Sequence, residues 1–222
     1  MKNVIEITDL KDMLKKTGIE YGERPAYKIR IAENKYKIYT HKEVREMIDA
    51  LGTALISLNL KGKRIAVIGE NRFEWEIAYL AIVCGTGIVV PLDKSLPENE
   101  LKRLIERSEV EAIFYSGKYQ DKLKKMVLEG TGKLKHLISM DTKTHSNGIY
   151  SQSELIEIGN VLLKNGNREF LDSEINPEEM SILLFTSGTT SLSKAVMLSH
   201  KNICSNIYAI QCLLKVYDTD VN

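Results

Sequence analysis

Residues 180–206, MSILLFTSGTTSLSKAVMLSHKNICSN, concentrate the side chains best able to do chemistry in this 222-residue chain. An apolar run, Ile182 to Phe185, reads as a strand, and Lys194 to Leu198 reads as a second. Between them lie the hydroxyls of Thr186, Ser187, Thr189, Thr190, Ser191 and Ser193, a flexible Gly188 and, at the far end, the ammonium of Lys194. Hydroxyls, backbone N–H groups and one cation form a donor set suited to a polyphosphate, whose oxygens need several hydrogen bonds and a nearby positive charge. A Ser/Thr/Gly loop taken by itself is more commonly a solvated hairpin turn, and the residues alone leave both readings open. A Walker A loop does not fit. That motif needs glycine before the lysine and a hydroxyl after it, whereas Ser193 and Ala195 flank Lys194, and it leads into a helix rather than a strand.

Other reactive residue types read as structural. His200, next to Ser199 at the start of a helix, suits local capping or packing better than general-base work. Trp75 suits burial between helix and sheet better than a stacking platform, and Arg72 suits the surface or the support of the fold. Cys84 and Cys204 sit in apolar surroundings as small core residues. With Cys212 they make an odd total, with neither CxxC spacing nor a histidine partner in a metal-ligand pattern, which favours a reduced, intracellular (cytoplasmic) protein.

The elements that must position the loop follow an alternating rhythm. Leu10, Met13 and Leu14 mark a helix ending near Gly18; Ala26 to Ile31 and Tyr36 to Thr40 form a hairpin turning at Glu33-Asn34. Thr40 and Glu43 make a capping box for a helix carrying Val44, Ile48, Leu51, Leu55 and Leu58. A strand at Arg64 to Gly69, a helix capped by Asn71, and a strand at Gly87 to Leu92 follow. Ser95 to Glu98 reads as a second capping box with Pro97 in the first turn. Ala112 to Tyr115 and Leu134 to Met140 are strands around a helix from Tyr119 to Leu128; Asp141 to Gly148 is a polar, mobile loop; Ser151 and Glu154 open a third box, before a helix fading at Asn165 to Asn167. Residues 218–222 stop where another strand is expected. The βαβ rhythm predicts an α/β fold with a mainly parallel sheet flanked by helices and a small N-terminal hairpin.

Composition excludes some classes of function. The 31 basic against 30 acidic side chains leave no excess for a dedicated nucleic-acid binder, and 43% hydrophobic residues suffice for a core. The N-terminus has acids within ten residues and no apolar h-region, unlike a signal peptide. The longest uncharged stretch, Ile77 to Leu92, is interrupted by glycines and a proline and is too short to span a bilayer, so no transmembrane segment is expected, although peripheral membrane contact is compatible with the sequence.

The segment Phe185-Thr-Ser-Gly-Thr-Thr190, with Lys194 and Val196-Met-Leu-Ser-His-Lys-Asn202 after it, resembles the phosphate loop of the AMP-forming acyl-CoA synthetases within the adenylate-forming superfamily. Tyr21 to Ala26, Lys63 to Arg72 with Glu74-Trp75, and Gly87 to Asp93 are similar to that family's opening segments. The Glu-Asn-Arg-x-Glu-Trp run most resembles long-chain fatty acid ligases. Ser191, Ser193 and Ala195 stand where the family pattern has Gly, Pro and Gly. The resemblance implies that 1–222 is the N-terminal part of the AMP-binding domain, with the rest of the fold absent, so that the fragment is inactive alone. In the complete enzyme it implies ATP, magnesium and coenzyme A acting on a carboxylic, fatty acid in lipid metabolism. Phosphates would meet Thr186, Ser187, Gly188, Thr189, Thr190, Ser191, Ser193 and Lys194, with Lys194 the catalytic cation and Thr186 adjoining the metal. A sheet cut short also implies self-association. The alternative is a stand-alone, non-catalytic domain binding nucleotide or a partner protein.

Overall fold

The computed structural model describes residues 6–186 and 193–214. Helix α1 (Leu10–Glu20) starts at Asp9, whose carboxylate accepts the Asp12 N–H, and runs through Gly18 instead of ending there. Gly18 serves a contact, since a Cβ at that position would come within 3.1 Å of the Arg45 side chain. Strands β1 (Pro25–Ala32) and β2 (Lys35–Thr40) form the expected hairpin, its turn made by Asn34 in the left-handed region. Helix α2 (His41–Ser57) opens on a complete Thr40/Glu43 capping box.

Among the described residues the main sheet has seven strands in the order β7-β6-β5-β3-β4-β8-β9. These are β3 (Arg64–Ile68), β4 (Ile88–Leu92), β5 (Ala112–Tyr115), β6 (His136–Ser139), β7 (Ile149–Ser151), β8 (Met180–Thr186) and β9 (Lys194–Ser199). All neighbours run parallel except β8 and β9. The central strands are apolar at successive positions because both faces are covered. Period-two alternation sends Ile65, Val67, Val89 and Phe114 into one core with α2 and α3 (Phe73–Ala81), and Ala66, Ile68, Val90 and Tyr115 into the other. The second core is closed by α4 (Glu98–Ser108) and α5 (Gln120–Leu128). Helix α6 (Gln152–Lys164) lies so close on α2 that a Cβ at Gly159 would meet the Ala50 carbonyl at 1.8 Å. Between α3 and β4, a π-helical segment at Ile82–Thr86 turns the chain through Gly85, whose φ of 149° a side chain would strain.

Several local expectations give way to longer-range contacts. Arg72, not Asn71, is the N-cap of α3, and no side chain caps that end. The helix after Ser95 begins at Glu98 with Pro97 as N-cap; Asp93 instead accepts the Ser95 N–H at 2.7 Å, so no capping box forms. Ser151 accepts from Glu154 N, but the Glu154 carboxylate turns away to His145, leaving half a box. The polar segment from Asp141 is tied down: Asp141 pairs with Arg72, and Ser146 bridges to Ile149 at the start of β7, a strand too short to leave a sequence signature. Trp75 is only half buried. The expected strand at 218–222 lies outside the described residues.

Candidate functional site

β3, β4 and β8 run parallel, so their carboxyl ends share one edge of the sheet. The chain leaves β3 for α3 on one face and leaves β4 for α4 on the other, an arrangement that opens a crevice at the carboxyl edge of doubly wound sheets. Val89 pairs with Ile182, which sets Thr186 level with Asp93, the residue following β4. The hydroxyl-rich loop therefore leaves β8 at the crevice edge.

Thr186 ends β8, Lys194 begins β9, and the two face each other in the antiparallel ladder. Opposed residues project from the same face, so the Thr186 hydroxyl and the Lys194 stem stand side by side at the mouth of the loop, both exposed. Ser187, Gly188, Thr189, Thr190 and Ser191 lie outside the described residues. Ser193 is held by α4: its hydroxyl donates to Glu100 Oε1 at 3.1 Å, and its carbonyl accepts from Arg107 at 2.8 Å. The Arg107 guanidinium also lies 5.7 Å from the Phe185 ring centroid. One helix thus grips both feet of the loop. Glu100 and Arg107 escaped the sequence reading because they meet Ser193 across sequence separations of 93 and 86 residues; the only trace is an acid and a base seven apart on one flank of an amphipathic helix.

Behind the loop, α7 (His200–Leu213) starts on a full capping box formed by Ser199 and Asn202. His200 is buried and structural, as expected. Its Nδ1 faces the Leu10 N–H at 3.2 Å, and since a backbone amide can only donate, Nδ1 accepts; Nε2 then carries the proton and donates to the Val83 carbonyl at 3.1 Å. Burial pushes its pKa below the ordinary histidine value, which keeps the ring neutral. Cys84 and Cys204 are buried and unpaired, and Cys212 is exposed.

Arg72 joins Glu74 and Asp141. Burial opposes its charge, but those hydrogen bonds outweigh the burial and hold the guanidinium protonated more firmly than usual. A cavity of about 500 Å³ lies along the same helix, lined by Asn71, Arg72, Trp75, Glu76, Tyr79 and Leu80. Trp75 stacks on Tyr79 there, with ring centroids 5.4 Å apart. Among the described residues no group of three His, Cys, Asp or Glu side chains could hold a metal ion. Thr186 offers a single neutral oxygen beside the cationic Lys194, a donor set that fits an anion and does not by itself fit a divalent cation.

A mainly parallel sheet with helices on both faces, and with Thr186 and Lys194 paired at its carboxyl edge, defines an open, doubly wound α/β class of protein. Residues 14–221 match the family described as AMP-binding enzyme, and the chain belongs to that family. It is 29% identical over 232 residues to fatty acyl-CoA synthetase B of Dictyostelium discoideum, covering 98% of this chain and 34% of the relative. It is 28% identical to long-chain-fatty-acid–CoA ligase 5 of Rattus norvegicus over 200 residues, covering 83% of this chain and 28% of the relative. The chain thus spans about a third of the length of these curated relatives. Its fold matches the crystal structure of a long-chain-fatty-acid-CoA ligase from Archaeoglobus fulgidus with a TM-score of 0.76 at 22% identity, over 96% of this chain and 41% of that one.

Proposed function

We propose that residues 1–222 form the N-terminal part of the adenylation domain of an ATP-dependent, AMP-forming acyl-CoA synthetase acting on a fatty acid in the cytoplasm. The observation that carries this reading is the Thr186–Lys194 pair closing the TSGTT loop at the carboxyl edge of the parallel sheet, in a chain that belongs to the AMP-binding enzymes. A carboxylate is a poor electrophile. Its attack on the α-phosphorus of ATP breaks the bond to pyrophosphate and yields an acyl-adenylate, from which AMP then leaves as the thiol of coenzyme A attacks.

Negative charge grows on the departing pyrophosphate, and Lys194 stands where an ammonium can meet it; Thr186, Ser193 and the loop hydroxyls and N–H groups orient the phosphate oxygens. Glu100 and Arg107 hold Ser193, where the chain re-enters β9. Ser193 already donates to Glu100, so phosphate would compete for that proton. A magnesium ion, if carried in with the nucleotide, would supply further charge neutralisation; Thr186 is the hydroxyl that would adjoin it, and since this side chain does not hold a divalent cation by itself, most of the ligands would have to come from the nucleotide and water. A non-catalytic role is not favoured, since the matched relatives named above are ligases. Titration of the 222-residue chain with pyrophosphate by calorimetry tests the site: binding that Lys194→Ala weakens at least tenfold is expected, and equal affinities would remove Lys194 from it.

A further inference from the structure

Residues 30–38, the outer half of the β1–β2 hairpin, form an unbroken exposed run. The base of the hairpin is anchored: Tyr39 stacks on Phe73 with centroids 4.4 Å apart, Tyr27 meets the same ring edge-on, and the Tyr27 hydroxyl donates to Glu76. Beyond that anchor the ribbon stands clear of the body. It carries Lys28, Arg30, Lys35 and Lys37 against one acid, Glu33, in a chain whose charges otherwise nearly cancel. None of the four cations pairs with a carboxylate among the described residues; Lys28 and Lys37 lie over the rings of Tyr36 and Tyr39, at 4.7 and 4.5 Å from the centroids. Among them Ile31, Tyr36 and Ile38 stand 63%, 50% and 52% exposed.

We propose that this hairpin tip is a docking surface for an anionic lipid bilayer. Isoleucines at a projecting tip cost free energy in water and gain it in the acyl boundary, a tyrosine suits the headgroup level, and long basic side chains reach lipid phosphates while their stems stay apolar. The alternatives fit less well. A second copy would bring like charges together along both ribbon edges, the lysine device that blocks edge pairing, and a nucleic acid would leave the isoleucines without a partner. The inference rests on the hairpin's charge and shape and not on the chemistry proposed for the loop; a substrate that partitions into membranes would gain from it.

The test is co-sedimentation of the 222-residue chain with vesicles of equal parts phosphatidylcholine and phosphatidylglycerol, and with phosphatidylcholine alone. Pelleting with the anionic vesicles, little with the neutral ones, and loss at high salt are expected. The double variant Lys28→Glu/Arg30→Glu should weaken binding roughly tenfold or more. Ile31→Ser/Ile38→Ser should also weaken it while leaving its salt dependence intact. All four side chains are exposed, so thermal melting should not change. The proposal is overturned if the wild-type chain binds neither vesicle or both alike, or if both variants bind as the wild type does. It is equally overturned if the isoleucine variant dissolves a dimer seen by sedimentation while vesicle binding is unaffected.

Discussion

Asp49 lies half buried on α2, with Arg45 at 3.6 Å. Burial pushes its carboxyl up to about 6, against the partial opposition of Arg45 and Lys11. The folded state therefore holds this proton more tightly than the unfolded chain does, and the stability it contributes is full below about pH 4 and lost as pH rises to about 6. Asp49→Asn should raise stability above pH 6 by about 1 kcal/mol, allowing for partial exposure, and make no difference near pH 4. Urea denaturation of both proteins across that range checks the sign; a gain confined to low pH would refute it. His200→Ala would strand the Leu10 N–H and the Val83 carbonyl in the core and should cost about 2 to 4 kcal/mol. Lys194→Ala, by contrast, removes an exposed side chain and should change stability by no more than about 0.5 kcal/mol. If the proposed function holds, then in a chain carrying the rest of that fold the same substitution should lower kcat for adenylation more than it raises the KM for ATP, as ATP–pyrophosphate exchange would show.

At the scale of elements, what was legible is what is locally determined. The Thr40/Glu43 box, the apolar central strands and the two strands flanking TSGTT depend on neighbours within a few residues, and the structure has them where the spacing puts them. Ser95 to Glu98 shows the limit. The same box pattern is present, but Asp93 takes the turn first and Pro97 ends up outside the helix. β7 and the π-helical segment have no periodicity to read; one needs β6 beside it, the other a glycine at a φ only packing can select. The candidate site divides the same way, with Thr186 and Lys194 visible in the motif and Glu100 and Arg107 visible only once α4 is folded against β8. Helix contact supplies a test. Gly159→Ala would drive a methyl into the Ala50 carbonyl, and separating α2 from α6 should cost about 3 kcal/mol or more in thermal or chemical denaturation. Thr40→Ala, which removes only a cap, should cost about 1 kcal/mol.

For the whole molecule, the outer edge of the sheet is its least protected border. Among the described residues β9 has no outer neighbour, Met197 on it is 69% exposed, and α7 beside it leaves Tyr208, Ile210 and Leu213 open to solvent. Unpaired strand edges and apolar patches favour association, so sedimentation velocity should show concentration-dependent self-association of the 222-residue chain; a strict monomer at high concentration would count against it. The hydrogen bond between Leu10 and His200 bears on how the chain is made. Those residues are 190 positions apart, so during synthesis α1 leaves the ribosome long before the side chain that receives its first amide exists. Until His200 is made, the Leu10 amide lacks this acceptor, and the arrival of His200 latches two distant parts of the described chain together. Chains stalled just short of His200 should leave the Leu10 amide exchanging with solvent, and release of two or three further turns of α7 should protect it.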